Sequence, residues 1–324
     1  MKAIVQDRFG APDVLSLREV DQPAVAPGNV LVRVHAASVN AADWHFMRGD
    51  PYLARLSLGL RSPKVKVRGR DFAGLVTAVG DGVTGLRPGD EVYGETDGTL
   101  AEYVSVPDAV VDRKPANLSW EQAAAVPLAA NTALMGLREA SAVQPGQRVL
   151  VNGASGGVGT FAVQIAKAFG AHVTAVCSTR NVDLVRKLGA DDVIDYTRDD
   201  FVRAGQRYDI VFDLVGNRSL ADLRRVLTAT GALVLSGGGV SKGGSLVGPM
   251  GLIIRGALVS RFIKQRLVVL QAKQSKGNLA ALRDLIESGK VTPVIDRSYP
   301  LAEAADAIRY LESEHARAKV VITV

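Results

Sequence analysis

Arg148-Val149-Leu150-Val151-Asn152-Gly153-Ala154-Ser155-Gly156-Gly157-Val158-Gly159 opens as an apolar, largely β-branched run and closes on a cluster of small residues. Val158, Phe161, Ala162, Ile165, Ala166 and Phe169 then recur at the three- and four-residue spacing of an amphipathic helix. The local order is strand, tight turn, helix. Ala154, Gly156 and Gly159 fit the spacing G/A-x-G-x-x-G. In that pattern the first small residue makes the turn and the second lets a pyrophosphate approach the backbone. The third lets the helix pack close to the strand. The helix start offers unpaired N–H groups and a positive dipole end to the phosphates. Ala154, Ser155, Gly156, Gly157, Val158 and Gly159 therefore read as a dinucleotide site; the alternative is a Gly-rich turn between packed elements.

Downstream, strand and helix alternate. Strands are expected at His172–Val176, Asp192–Tyr196, Tyr208–Leu214, Ala232–Ser236 and Leu267–Leu270. Helical patterns cover Val182–Leu188, Leu220–Leu227 and residues 277–288. Such alternation means parallel strands with helical crossovers, an α/β doubly wound sheet. Upstream, residues 1 to about 120 are rich in short strands with Gly/Pro breaks, which predicts a compact barrel-like β-domain. Val30–Ala36 and Leu100–Val106 are strands, Glu91–Gly94 starts one, and Val65–Gly85 holds a pair of strand-like runs. Ser119-Trp120-Glu121-Gln122 is a capping box opening an Ala-rich helix to about Val126; a second helix is expected from Asn131 to Ala140. The tail Val320–Val324 is a strand expected to return to the N-terminal β-domain.

The chain has 324 residues, 47% hydrophobic and 22% charged, which suits one or two globular domains. Its net charge of +6 is spread along the chain, and an anionic cofactor would satisfy it without any nucleic-acid motif. One cysteine, Cys177, excludes an intrachain disulfide and a multi-cysteine zinc knot. Met1–Val5 lacks the apolar core of a signal peptide, and no run of 18 apolar residues exists, so a cytoplasmic protein without a membrane span is expected.

The second strand of the sheet ends near Val176, so the cofactor's ribose should meet Cys177–Asn181. An NAD site needs a carboxylate there. This chain has Ser178, Thr179 and Arg180 instead, and Arg180 can pair with a 2′-phosphate, which favours NADPH. The alternative is that Ser178 and Thr179 only cap the next helix.

Taken with Val39-Asn40-Ala41-Ala42-Asp43, Gly69-Arg70-Asp71-Phe72-Ala73-Gly74, Val193-Ile194-Asp195-Tyr196 and His315–Val321, these features resemble the zinc-free members of the medium-chain dehydrogenase/reductase superfamily. The resemblance is to the quinone oxidoreductase (zeta-crystallin-like) branch and covers essentially the whole chain. It implies a GroES-like catalytic domain from residues 1–124 and 273–324, and a Rossmann NADPH-binding domain from 125–272. Relatives often pair through the cofactor-domain sheet, which implies a homodimer. Zinc alcohol dehydrogenases carry Cys where this chain has Asn40, and Gly-His-Glu where it has Gly69-Arg70-Asp71. An amide and a permanent cation thus replace a thiolate and an imidazole, so no catalytic metal is expected.

That loss constrains the chemistry. Reducing a simple carbonyl leaves an alkoxide about as basic as hydroxide, from water of pKa about 15.7, and favours a Lewis acid. A quinone leaves a phenolate of pKa about 10, and an enone leaves a delocalised enolate. Ordinary hydrogen-bond donors can stabilise both. The expected acceptor is an electron-poor, conjugated carbonyl held between the two domains. Other readings are an NADP-linked dehydrogenase of another small carbonyl or alcohol, and a non-enzymatic NADPH-binding sensor or RNA-interacting protein.

The resemblance assigns further residues. Asn40 would donate to the substrate carbonyl or hold the nicotinamide; otherwise it is a turn former. Asp43 would orient neighbours such as Arg70, or serve as a helix N-terminal carboxylate. His45 stands where many relatives have Tyr, as a proton donor or a packing residue, with water able to serve in its place. Asn131 and Thr132 approach the nicotinamide, or cap a helix. Tyr196 lies near the 2′-phosphate, or packs at the strand end. Val215-Gly216 and Ser236-Gly237-Gly238 would end strands beside the cofactor, or serve only as turns, and the tail cation Lys319 would reach it, or stay solvated. Gly239–Gly251 reads as a lid, and Leu252–Arg266 as a core helix, a dimer surface or a membrane-surface contact, in that order.

Overall fold

The computed structural model describes residues 1–236, 264–313 and 316–324. Gly237, Gly238, the lid segment Gly239–Gly251, most of Leu252–Arg266 and His315 lie outside the described residues. Two compact units form. One comprises Met1–Asn131, Lys273–Gly289 and Pro293–Val324; the other comprises Thr132–Ala272 and Lys290–Thr292.

The first unit begins with β1 (Lys2–Gln6) antiparallel to β2 (Leu15–Glu19). Its long strand is β3 (Asn29–Val39), where Val30, Val32 and Val34 point into the core and Arg33 points out. Helix α1 (Ala41–Arg48) follows directly, with Asn40 as N-cap, and α2 (Arg55–Leu58) comes next. Then come β4 (Asp71–Val79), β5 (Glu91–Glu95), β6 (Tyr103–Pro107) and β7 (Val111–Arg113). The two runs expected in Val65–Gly85 yield one strand, β4; Val67 makes only an isolated bridge to Val5. Gly69 explains the break. Its φ of +98° is left-handed, and a Cβ there would lie 2.6 Å from the Leu100 backbone nitrogen.

Helix α3 (Trp120–Ala124) has the expected box: Gln122 N–H donates to Ser119 Oγ at 3.2 Å, and Ser119 N–H donates to Gln122 Oε1 at 3.0 Å. The next helix starts earlier than expected. Helix α4 (Pro127–Leu134) opens on a proline, which loses no helical hydrogen bond at that position, and a wider π turn over Met135–Ala140 continues it. Asn131 is therefore inside the helix and caps nothing.

The second unit holds β8 (Arg148–Asn152), α5 (Gly157–Ala168), β9 (His172–Cys177), α6 (Val182–Lys187), β10 (Asp192–Asp195), β11 (Tyr208–Asp213), α7 (Leu220–Arg225), β12 (Leu227–Leu235) and β13 (Arg266–Val269). Among the described residues its six strands are all parallel, in the order β10-β9-β8-β11-β12-β13. The order reverses between β8 and β11, the crevice where doubly wound sheets take nucleotides. Cys177 ends β9, buried, and that burial pushes its thiol up to about 11.

The chain then returns to the first unit. Helix α8 (Lys276–Glu287) buries Leu279, Leu282 and Ile286 on one face. Tyr93 OH donates to the Leu279 carbonyl at 2.6 Å, and Arg283 pairs with Asp112 at 2.7 Å. After β14 (Ile295–Pro300) and α9 (Ala304–Ser313), the tail strand β15 (Lys319–Thr323) lies parallel to β14 and antiparallel to β3. Local bonds set the unit edges. Asn131 donates to the Lys273 carbonyl at 2.8 Å and accepts from Asn278 at 2.7 Å, so the first unit runs past residue 124. Thr292 and Gln164 exchange two bonds, at 2.8 and 3.0 Å, which places Lys290–Thr292 with the second unit. No helix among the described residues is long and apolar enough to cross a membrane.

Candidate active site

In the first unit, strand register brings three chain segments to one point. Ser38 is paired with Asp71 across β3 and β4, and Val39 with Val320 across β3 and β15. Ser38, Asn40, Asp71 and Lys319 thus meet at adjacent strand ends, all buried. Asp71 is their hub. Its Oδ2 accepts from Ser38 Oγ at 2.8 Å and Asn40 Nδ2 at 2.9 Å, and lies 3.3 Å from Lys319 Nζ. Its Oδ1 accepts from Leu128 N–H at 3.0 Å. Lys319 Nζ also donates to Asn40 Oδ1 and, at 3.4 Å, to the Val39 carbonyl. The carbonyl of Asn40 therefore faces the ammonium, and one amide hydrogen faces Asp71. Lys319, expected at the cofactor, is 2% exposed in the first unit and not on an exposed tail. Ala318 before it takes φ +61°, a region a β-carbon disfavours.

Asp43 stands at the third position of α1 and accepts Asn40 N–H on Oδ2 at 2.8 Å. Its Oδ1 is buried without a partner. Burial lifts its pKa to about 6, against the pull of Arg68 and the Asn40 N–H. The sequence linked Asp43 to Arg70. Arg70 instead donates to Glu95 Oε1 from Nε at 3.1 Å and from an η nitrogen at 2.7 Å, and lies 5.4 Å over the Phe46 ring. Glu95 ends β5 opposite Asp71, and burial raises its pKa.

His45 Nδ1 lies 3.2 Å from the Asp50 carbonyl, and burial lowers the imidazole pKa. A carbonyl only accepts, so Nδ1 carries the hydrogen and the neutral ring's Nε2 is an acceptor. That tautomer does not present His45 as a proton donor. Thr132 is buried on α4 and belongs to the second unit. Asn131 has its amide committed to Lys273 and Asn278.

In the second unit, the small-residue turn has the shape its spacing requires. A Cβ at Gly159 would lie 2.1 Å from the Gly153 carbonyl oxygen, so this glycine is needed for α5 to close on the turn. Gly156, the N-cap of α5, is different: a Cβ there would meet no protein atom nearer than Gly153 O at 3.5 Å. Packing within the protein does not require that glycine, and the space in front of the helix start stays open. Ser155 Oγ and Ser178 Oγ both accept from Asn181 Nδ2, at 3.0 and 3.2 Å. Val215 and Gly216 N–H donate to Asp213 Oδ1 at 3.2 and 3.1 Å, and Asn152 Nδ2 donates to it at 2.8 Å. This ties the loop after β11 to the end of β8. Tyr196, half exposed after β10, donates its N–H to Cys177 O at 3.0 Å. Arg180 lies in the short turn Thr179–Asn181 after β9.

The sequence reading gave no role to Ser38, Glu95 or Asp195. Asp195 pairs with Cys177 across β10 and β9, which brings a carboxylate beside the Cys177–Asn181 turn. It accepts from Thr179 Oγ1 at 2.5 Å and Thr197 Oγ1 at 2.8 Å, and the Thr179 bond holds its carboxyl below the usual range. The second strand's own turn, Cys177–Asn181, holds no carboxylate; strand pairing supplies one from the third.

A family model described as an alcohol dehydrogenase GroES-like domain matches residues 26–116, and one described as a zinc-binding dehydrogenase matches residues 188–322. The chain is 37% identical to the 2-methylene-furan-3-one reductase of Solanum lycopersicum, covering 99% of this chain and 79% of the relative. It is 37% identical to an NADPH-dependent alkenal/one oxidoreductase, chloroplastic, of Arabidopsis thaliana, with the same coverage. The solved quinone oxidoreductase of Coxiella burnetii superposes with a TM-score of 0.87 at 33% identity, covering 100% of this chain and 99% of that one.

Zinc does not fit the residues present. Asp71 already holds the Lys319 ammonium, Asn40 offers an amide, and Arg70 is locked to Glu95. Among the described residues, no group of three or more His, Cys, Asp or Glu could hold a metal ion. The chain belongs to the medium-chain dehydrogenase/reductase superfamily, in its zinc-free quinone oxidoreductase branch.

Proposed function

We propose that the protein is an NADPH-dependent reductase of quinones or α,β-unsaturated carbonyls that works without metal. The dinucleotide, when bound, supplies the hydride. The observation that carries the reading is the buried Lys319 ammonium against Asn40 and Asp71. Lys319 and Asp71 fix the Asn40 carboxamide from both ends. One amide hydrogen of Asn40 is left to donate to the acceptor's oxygen as charge builds there. The nearby ammonium favours that charge, which suits a phenolate or an enolate. Relatives named as enone reductase, alkenal/one oxidoreductase and quinone oxidoreductase support the acceptor class.

Gly156, the helix start after it and the Val215–Gly216 loop would hold the dinucleotide. Ser178, Arg180 and Tyr196 would receive a 2′-phosphate, and the threonine hydroxyls on Asp195 temper its negative charge. The name of the Arabidopsis relative supports NADPH. Among the described residues β13 is an edge strand, and pairing through it would give a homodimer of twice 34.2 kDa.

The test follows NADPH oxidation with quinones, enones and saturated aldehydes. Conjugated acceptors should turn over and saturated aldehydes should not. Asn40→Ala should lower kcat on the order of 100-fold with the dinucleotide Kd unchanged. Arg180→Asp should raise the KM for NADPH far more than that for NADH. Equal turnover of saturated aldehydes would favour a general dehydrogenase, and binding without turnover a sensor.

A further inference from the structure

Among the described residues, exposed large apolar side chains are rare and concentrated in one place. Seven occur among the described residues, and five of them, Tyr52, Leu53, Leu56, Leu60 and Val65, lie within Tyr52–Val65. Leu56 is 67% exposed and Leu60 is 69% exposed, at positions where a soluble surface gains nothing from leucine.

The backbone beneath them is held in place. Arg55 donates from Nε to the Gly49 carbonyl at 2.9 Å and from an η nitrogen to the Arg48 carbonyl at 3.2 Å. Its guanidinium also lies 4.8 Å over each of the Phe9 and Tyr52 rings. Lys64 N–H closes the loop on the Leu58 carbonyl at 2.8 Å. At Gly59, φ is +122° and a Cβ would lie 2.0 Å from the Ser62 carbonyl oxygen, so the turn is tight. The leucines are held outward by an ordered loop.

Along this stretch of chain the charge has one sign. From Pro51 to Arg70 there are Arg55, Arg61, Lys64, Lys66, Arg68 and Arg70, and no Asp or Glu. Arg61, Lys64 and Lys66 are exposed. Lys66 makes a long surface pair with Asp7 at 3.5 Å, while Arg61 and Lys64 make no ion pair among the described residues. A second copy of this face would set like charges against each other in a two-fold contact. An anionic bilayer offers the opposite charge at its headgroups and an apolar layer beneath them.

We infer that residues 52–66 form a peripheral docking surface for anionic phospholipid membranes, with the leucines entering the headgroup boundary and Arg61, Lys64 and Lys66 meeting the lipid phosphates. Helix α1, which carries Asp43 and His45, runs into this loop, and the chain leaves it for Arg70 and Asp71. Docking would therefore bring the Asn40 cluster to the layer in which apolar conjugated acceptors dissolve. That consequence rests on the reductase reading; the docking itself does not.

The full-length protein is sedimented with phosphatidylcholine vesicles with and without phosphatidylglycerol, at low and high salt. Binding is expected only with phosphatidylglycerol, weakening as salt screens the charges. Leu56→Ser/Leu60→Ser should lower vesicle affinity at least tenfold. Arg61→Gln and Lys64→Gln should each lower it about fivefold. All these variants should keep wild-type turnover of a short, water-soluble acceptor, which shows that they fold. Three results would overturn the proposal: no preference for the anionic vesicles, wild-type binding by the leucine variant, or a wild-type dimer that the leucine variant dissolves. Vesicle binding by a protein that turns over no acceptor would leave docking standing and remove the reductase reading alone.

Discussion

Asp43 carries a burial only half compensated, at the edge of the Asn40 cluster. One of its carboxylate oxygens accepts a backbone N–H and the other accepts nothing. Burial, the main cause, lifts its pKa from 3.8 to about 6. A folded pKa above the unfolded one stabilises the fold in acid: the contribution is whole below about pH 4 and fades as pH rises through about 6, by about 3 kcal/mol in all. Asn at this position can still accept from Asn40 N–H. Asp43→Asn should therefore match the wild type near pH 4 and exceed its stability by about 3 kcal/mol at about pH 8, measured by urea unfolding. An equal effect at both pH values would remove Asp43 as the buried charge. At this scale, sequence alone was only partly informative. Asn40 and Asp43 stand out because a short polar motif follows a strand. Lys319 is a tail cation by sequence and acquires its meaning only when β15 pairs with β3 and brings it to Asn40.

The turn between β8 and α5 separates two reasons for a glycine. A β-carbon at Gly159 collides with backbone at 2.1 Å, whereas at Gly156 the nearest atom is 3.5 Å away. Gly159→Ala should therefore cost about 1–3 kcal/mol or more of stability. Gly156→Ala should cost only about 0.5–1 kcal/mol, the loss of a favourable N-cap, yet weaken dinucleotide binding at least tenfold. Thermal unfolding and dinucleotide titration of the two variants check this, and equal binding losses at equal stability would contradict it. The same steric logic made this element legible, since glycine spacing records close approach directly. Helix α1 lacks such a record: it buries only Asp43 and Met47, so no apolar stripe marks it. β2 leaves Ser16 and Leu17–Glu19 partly or fully exposed and likewise gives little apolar signal.

Taken whole, the molecule has a first unit assembled from distant parts of the chain. β15 fills the place between β14 and β3, and α8 covers β5 and β7 through Tyr93, Asp112 and Arg283. Residues 1–131 alone would expose the β3 edge and the Tyr93 hydroxyl. That fragment should be insoluble or unfolded by circular dichroism, and co-expression of residues 273–324 should restore it. A folded, soluble fragment 1–131 would show that the tail is dispensable. The tail's return was readable from its Val-rich run, because a short apolar strand after a helix has to pair somewhere. Its neighbours were not, because register is set by tertiary packing.

Cys177 is the chain's one sulfhydryl, sealed at the end of β9 with its ionisation delayed to about pH 11. Conjugated carbonyls are also alkylating agents: a thiolate adds to the same β-carbon that would receive hydride. Nucleophilic sulfur requires the deprotonated form and a path to it, and this chain offers neither. A catalyst for such compounds built on this scaffold can process them without being inactivated by covalent adducts of its own cysteine.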